Sequence, residues 1–134
     1  EESEELGGRV SRESKLPGLA EWGRVRDHRV VMLEKLKNVT LYLGSSLSPE
    51  DILEFSADDK FGFTHVFLAT GATWRRDGIA RENREPIPGL EHVSVLTADN
   101  LMHGDSAHGK VVIFDDEHYY MGGVLAEKLR LDGH

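Results

Sequence analysis

Apolar and polar residues alternate along the chain in short blocks whose period changes. Over 22–37, Val25, Met32, Leu33 and Leu36 fall at helical spacing with Arg, Asp, Glu and Lys between them, which predicts a helix stopping at Asn38. Val39-Thr40-Leu41-Tyr42-Leu43 is β-branched and apolar and predicts a strand ending at Gly44. Ser48-Pro49-Glu50-Asp51 is a compact helix start, with a capping Ser, a Pro at the first helical position and two acids at the positive end of the dipole. That helix is expected to end near Phe55, before a polar, exposed stretch over 57–60. His65-Val66-Phe67-Leu68-Ala69 reads as a buried strand running into Thr70-Gly71-Ala72.

Over 74–89 the chain is charged, carries two prolines and has no period, so it reads as a long excursion or crossover connection. A short capped helical turn is expected over 97–102, a strand over 110–114, and a helix over 120–131. In that last helix Leu125, Ala126 and Leu129 should face the core, and Gly133 stands where a C-terminal cap belongs. Adjacent glycines at 7 and 8 mark a turn or a close backbone approach, and Leu16-Pro17-Gly18-Leu19 marks a loop. Strands alternating with helices predict an α/β fold with parallel pairing.

The composition narrows the function more than the fold. With 134 residues the chain matches one domain that can bury a core. It contains 39% hydrophobic and 30% charged residues, as soluble globular proteins do. No apolar run reaches the roughly 18 residues a membrane span needs, so no membrane association is expected and cytoplasm is the default compartment. The net charge of −8 argues against nucleic acid, whose phosphates are bound by clustered Lys and Arg. The absence of Cys excludes a disulfide framework, a thiol nucleophile and an iron–sulfur site within this segment. The acidic start, unlike any leader, together with the missing Met and the ending Asp132-Gly133-His134, reads as a piece trimmed at both ends.

Three stretches carry candidate chemistry. Glu1 stands six residues before Gly7-Gly8. A carboxylate so placed can accept both ribose hydroxyls of an adenine nucleotide, while glycines let the backbone pass close to a cofactor. The same residues also read as an exposed acidic tail. Second, Val66-Phe67-Leu68-Ala69-Thr70-Gly71-Ala72 is an apolar strand ending in Ala-Thr-Gly, a shape that suits a turn beneath a nucleotide and that also occurs without any ligand. Third, Gly109 to Phe114 followed by Asp115-Asp116-Glu117-His118-Tyr119-Tyr120 is a strand and a turn before a helix, the opening of a dinucleotide-binding fold. Asp115, Glu117 and Tyr120 fill the places of the glycines in Gly-x-Gly-x-x-Gly, so NAD or NADP binding is not expected there. Adjacent acids on one turn seldom converge on one ion, the His residues lack zinc-like spacing, and no metal site and no catalytic residue is expected.

Taken in order, Gly-Gly, Leu-Pro-Gly-Leu-x-Glu-Trp, Arg-Asp, Ala-Thr-Gly-Ala-x-Trp, Pro-Ile-Pro-Gly, Gly-Lys-x-Val-Ile, Tyr-x-Met and Leu-Ala-Glu-Lys-Leu resemble the C-terminal nucleotide-binding region of the trimethylamine, dimethylamine and histamine dehydrogenases. These flavin-dependent enzymes are themselves similar to 2,4-dienoyl-CoA reductase. The resemblance covers nearly the whole chain, with a local insertion expected at 57–61. It implies an incomplete FAD/NAD(P)-binding fold, Rossmann-like and of the two-dinucleotide-binding-domain type. Residues 1–105 would be a partial FAD/ADP-binding-like domain lacking its first βα unit, and 106–134 the first βα unit of a degenerate NAD-binding-like domain.

Carried over residue by residue, the resemblance implies that Glu1 touches ribose, that Gly7 and Gly8, with Arg9 beside them, line the nucleotide, and that Ala69, Thr70 and Gly71 lie near its phosphates or sugar. In the parent enzyme this region would hold ADP or FAD. FMN and a four-iron, four-sulfur cluster would belong to a barrel region outside this chain, which oxidises a small amine and passes electrons to an electron-transferring flavoprotein. With no phosphate-binding turn of its own, the chain is expected to hold no cofactor tightly. Its partners would be the parent's barrel domain and that flavoprotein, and open sheet edges would allow a homodimer. Two other readings stand beside this one: a segment of an NADPH-dependent enoate or enoyl-CoA reductase, and a structural or interaction fragment that binds no small molecule.

Overall fold

The computed structural model describes residues 1–57 and 62–134, the side chain of Ala57 apart. Among the described residues five α-helices form: α1 (Gly8–Glu13), α2 (Gly23–Lys35), α3 (Pro49–Ala57), α4 (Ala98–His103) and α5 (Tyr120–Leu131). Short 3-10 turns lie at Ala20–Trp22 and Leu90–His92. α3 runs to Ala57, past the end expected near Phe55, and the rest of the insertion expected at 57–61 and of the polar stretch expected at 57–60 lies outside the described residues.

The helix ends follow the chemistry read from the sequence. At α3 the Ser48 hydroxyl accepts from the Asp51 amide at 3.1 Å, and the Asp51 carboxylate accepts from the Ser48 amide at 2.8 Å. The two bonds satisfy two donors reciprocally, and the Ser48 bonds hold the Asp51 carboxyl below its ordinary value. Thr97 and Asn100 form the same kind of box at α4. At the end of α5 the Gly133 amide reaches the Arg130 carbonyl at 3.3 Å and the His134 amide reaches the Leu129 carbonyl at 3.0 Å, the paired closure of a Schellman motif. α2 stops at Lys35, with Leu36 already extended, earlier than the expected Asn38.

The core is small and made by helices and loops. Leu16, Ala98, Leu101, Ala107, Met121, Leu125 and Leu129 are buried together, with Leu19, Trp74, Leu96, Met102 and Val124 packed against them. It joins residues on both sides of the 105/106 boundary. Ala126, expected to face inward, is exposed, because α5 buries the stripe through Met121, Leu125 and Leu129. The apolar residues of α2 are also largely outside the core: Val25, Met32 and Leu36 are exposed.

The expected strands are the main correction. Among the described residues, 39–43, 65–69 and 110–114 form no β-ladder. They are exposed, with Phe67 at 91% and Val112 at 92% of full accessibility, so the stretch at 65–69 is not buried. A parallel strand needs hydrogen-bonding neighbours beside it and helices over both faces, and the described residues supply neither. The α/β, Rossmann-like expectation is therefore met only in its helices and turns.

Candidate functional site

The candidate site is built around Arg9, on the first turn of α1. Gly7 precedes it at φ +117°, and a Cβ there would stand 2.7 Å from Arg26 Cδ and collide with the Ser11 hydroxyl. Only glycine fits this approach. The chain then turns into α1 and buries Ser11 and Glu13, two polar residues that the sequence did not single out because no helix was expected after the double glycine. The Ser11 hydroxyl donates to the Leu6 carbonyl at 3.1 Å and accepts from Arg26 at 3.2 Å.

From α1, Arg9 reaches across to the other candidate turn. Its Nη2 donates to the Ala72 carbonyl at 2.7 Å, and its guanidinium lies 5.6 Å from the centre of the Trp74 ring. The same nitrogen is 4.0 Å from Asp99 Oδ1, while Asp99 Oδ2 accepts from the Trp74 amide at 2.7 Å. Three segments distant in sequence, the double glycine, the Ala-Thr-Gly-Ala turn and α4, are thus tied by one arginine and one aspartate. Trp74 belongs with the core, while Trp22 is exposed and stacks on Tyr120, with ring centres 6.3 Å apart.

Of the site residues expected from the sequence, the structure links Arg9 to Ala72, next to Gly71. Ala69, Thr70 and Gly71 are exposed and lie in a segment without regular structure, with Gly71 at φ +77°. A Cβ on Gly8 or Gly71 would meet nothing within 4 Å, so both backbones face open space, as approach by a nucleotide requires. Arg9 is committed to intramolecular partners. Glu1 sits on a different neighbour: its amino group donates to the Tyr42 carbonyl at 3.1 Å and its carboxylate accepts from the Ser3 amide at 3.2 Å.

Between the Ala72 turn and the Asp115 turn lies a cleft of about 400 Å³, lined by Arg9, Trp74, Arg75, Phe114, Asp115 and Glu117 among others. The loop on its rim, read from sequence as an aperiodic excursion, is ordered by polar anchors. Arg75 Nε donates to Asp77 at 3.0 Å, the Ile79 amide donates to the same carboxylate at 3.1 Å, and the Ile87 amide reaches the Asp77 carbonyl at 2.9 Å. The Arg75 hydrogen bond holds the Asp77 carboxyl down at about 2. Among the described residues no group of three or more His, Cys, Asp or Glu is placed to hold a metal ion, and no helix is long and apolar enough to cross a membrane.

The chain belongs to the family of the dimethylamine and histamine dehydrogenases as a segment of it. It is 39% identical to dimethylamine dehydrogenase of Hyphomicrobium sp. (strain x), an alignment covering 98% of this chain and 18% of the relative. Among solved structures it is similar to histamine dehydrogenase from Rhizobium sp. 4-9, at 46% identity and a TM-score of 0.89, covering 99% of this chain and 20% of that one. It is also similar to the 6-hydroxypseudooxynicotine amine oxidase of Pseudomonas geniculata N1, at 42% identity and a TM-score of 0.85, covering 98% of this chain and 19% of that one. The chain therefore spans about a fifth of the length of these relatives. No protein-family model matches it.

Proposed function

We propose that this chain is the non-catalytic nucleotide-binding part of a flavin-dependent amine dehydrogenase, holding ADP or FAD when joined to the rest of its enzyme. The observation that carries the reading is the 2.7 Å bond from Arg9 Nη2 to the Ala72 carbonyl, which fixes the Gly7-Gly8 turn against the Ala69-Thr70-Gly71 turn while leaving Gly8 and Gly71 open. Gly8 and Gly71 would give backbone approach to the nucleotide, and Glu1 would accept the ribose hydroxyls. Arg9 would set the spacing between the turns. FMN and an iron–sulfur cluster would supply the redox chemistry elsewhere in the enzyme, oxidising a small amine and passing electrons to an electron-transferring flavoprotein. No residue of this chain is assigned a catalytic role.

Calorimetry with ADP tests the reading. A polypeptide extended at the N-terminus to include a Gly-x-Gly-x-x-Gly turn should bind ADP, and Gly71→Val in it should abolish binding. The 134-residue chain should bind weakly or not at all. Failure of the extended polypeptide to bind ADP would leave the interaction-fragment reading in its place. The enoyl-CoA reductase reading is disfavoured by the turn at 115–120, where acids stand in place of glycines.

A further inference from the structure

A second cleft, of about 310 Å³, opens beside Arg9, and its lining differs from that of the first. Four aromatic side chains, Trp22, Trp74, Tyr119 and Tyr120, share it with the carboxylates of Glu13 and Glu117. Trp22, Tyr119 and Tyr120 are exposed, so these rings are not spent in the core. Glu13 is the unusual member. It is buried, yet among the described residues its carboxylate has no cation within ion-pair distance and takes one hydrogen bond, from the Tyr120 hydroxyl at 2.9 Å. An ionised carboxylate out of water offers about four lone-pair sites, and one neutral donor serves one of them. Glu117 is exposed, and among the described residues its side chain has no partner. Arg9, the one cationic side chain on the lining, is already engaged by the Ala72 carbonyl, Asp99 and the face of Trp74.

We propose that this cleft binds a small organic ammonium ion, with the aromatic rings around its alkyl groups and the Glu13 and Glu117 carboxylates answering its charge. Aromatic faces attract cations through their quadrupole, and the gain grows where water is excluded. The same rings offer few hydrogen-bond acceptors, so they favour a weakly hydrated, alkyl-bearing cation over a bare inorganic one. A hard divalent ion needs more oxygen ligands than two carboxylates give, and among the described residues no group of three is placed for it. An anion would meet both carboxylates, and a neutral guest would leave the buried charge of Glu13 unanswered. The volume stands at the lower end of ligand pockets, which suits a small guest. The inference does not depend on nucleotide binding at the Gly71 turn.

Tetramethylammonium chloride tests it, titrated into the 134-residue chain at constant ionic strength against sodium chloride, with the indole N–H resonances of Trp22 and Trp74 as readout. Both resonances should move and saturate. tert-Butyl alcohol, of similar size and uncharged, should need at least about tenfold more to give the same shift. Glu117→Gln and Trp22→Leu, both at exposed positions, should each weaken binding about threefold or more, and Glu13→Gln more strongly, because a buried charge is less screened. Should Glu13→Gln fail to fold, the two exposed variants decide. Shifts that never saturate, equal affinity for tert-butyl alcohol, or binding that Glu117→Gln and Trp22→Leu leave unchanged would each overturn the proposal.

Discussion

The Tyr120 hydroxyl donates to Glu13 Oε2 at 2.9 Å, joining the first residue of α5 to the last residue of α1 across 107 positions of sequence. Glu13 is 6% exposed, so its carboxylate relies on this donor in a largely dry setting. Tyr120→Phe should therefore destabilise the chain by roughly 1–3 kcal/mol, the cost of removing one partner from a buried acceptor. Urea denaturation checks it; an unchanged midpoint would show that water replaces the hydroxyl.

The same pair sets an alkaline limit. Burial, and then the hydrogen bond to Glu13, raise the Tyr120 hydroxyl above its usual value of 10.0. A folded value above the unfolded one means that the bond's contribution is whole below about 10 and fades as pH climbs through the raised value. Titration of tyrosine absorbance should show one group ionising above the usual value, and Glu13→Gln should bring it earlier. The absence of a late-ionising tyrosine, or one that Glu13→Gln leaves unmoved, would contradict this.

The double glycine divides into two unequal halves. At Gly7 an added methyl meets the Arg26 side chain at 2.7 Å with φ +117°, whereas at Gly8, with φ +48°, it meets open space. Gly8→Ala should cost about 1–2 kcal/mol, the conformational penalty alone. Gly7→Ala should cost clearly more, because overpacking adds to it. Thermal unfolding of the two variants checks the order, and equal losses would refute the collision at Gly7.

The acid side is governed by Asp77. Its carboxyl is held at about 2 by Arg75, below the ordinary 3.8, so its stabilisation of the 75–87 loop is complete above about pH 4 and is lost as pH falls through 2. The Asp77 carboxyl carbon should titrate near 2 by NMR, and Arg75→Ala should return it toward the ordinary value. A midpoint near 3.8 in the parent chain would show that the pair does not persist in water.

What the sequence told of this molecule was the part decided locally. Ser48, Thr97 and Gly133 mark their helix ends because capping involves residues within one turn of each other. The period of α2 and α5 was equally legible, though at Ala126 the edge of the stripe was misplaced by one residue. The stretches at 39–43, 65–69 and 110–114 read as strands but form no ladder among the described residues, because pairing depends on neighbours far away, and the β-rich composition of 65–69 says nothing about where these stand. In the site, the two glycine turns stood out by their motifs. Glu13, Ser11 and Asp99 did not, since each is an ordinary polar residue whose place is set by Arg9, Arg26, Trp74 and Tyr120 folding onto it.

The exposed extended segments carry the last prediction. Phe67 at 91%, Leu68 at 78% and Val112 at 92% accessibility form apolar stretches whose backbone enters no β-ladder among the described residues. Such segments template pairing with another chain, and a charged side chain on them opposes it. Light scattering after size exclusion should show the mass of the 134-residue chain rising with concentration toward a homodimer. Phe67→Lys and Val112→Lys, at exposed positions outside the buried core, should restore the monomer with helix content unchanged. A mass independent of concentration in the parent chain would show that these segments do not pair between copies, and reversal by Val112→Lys alone would place the contact at 110–114.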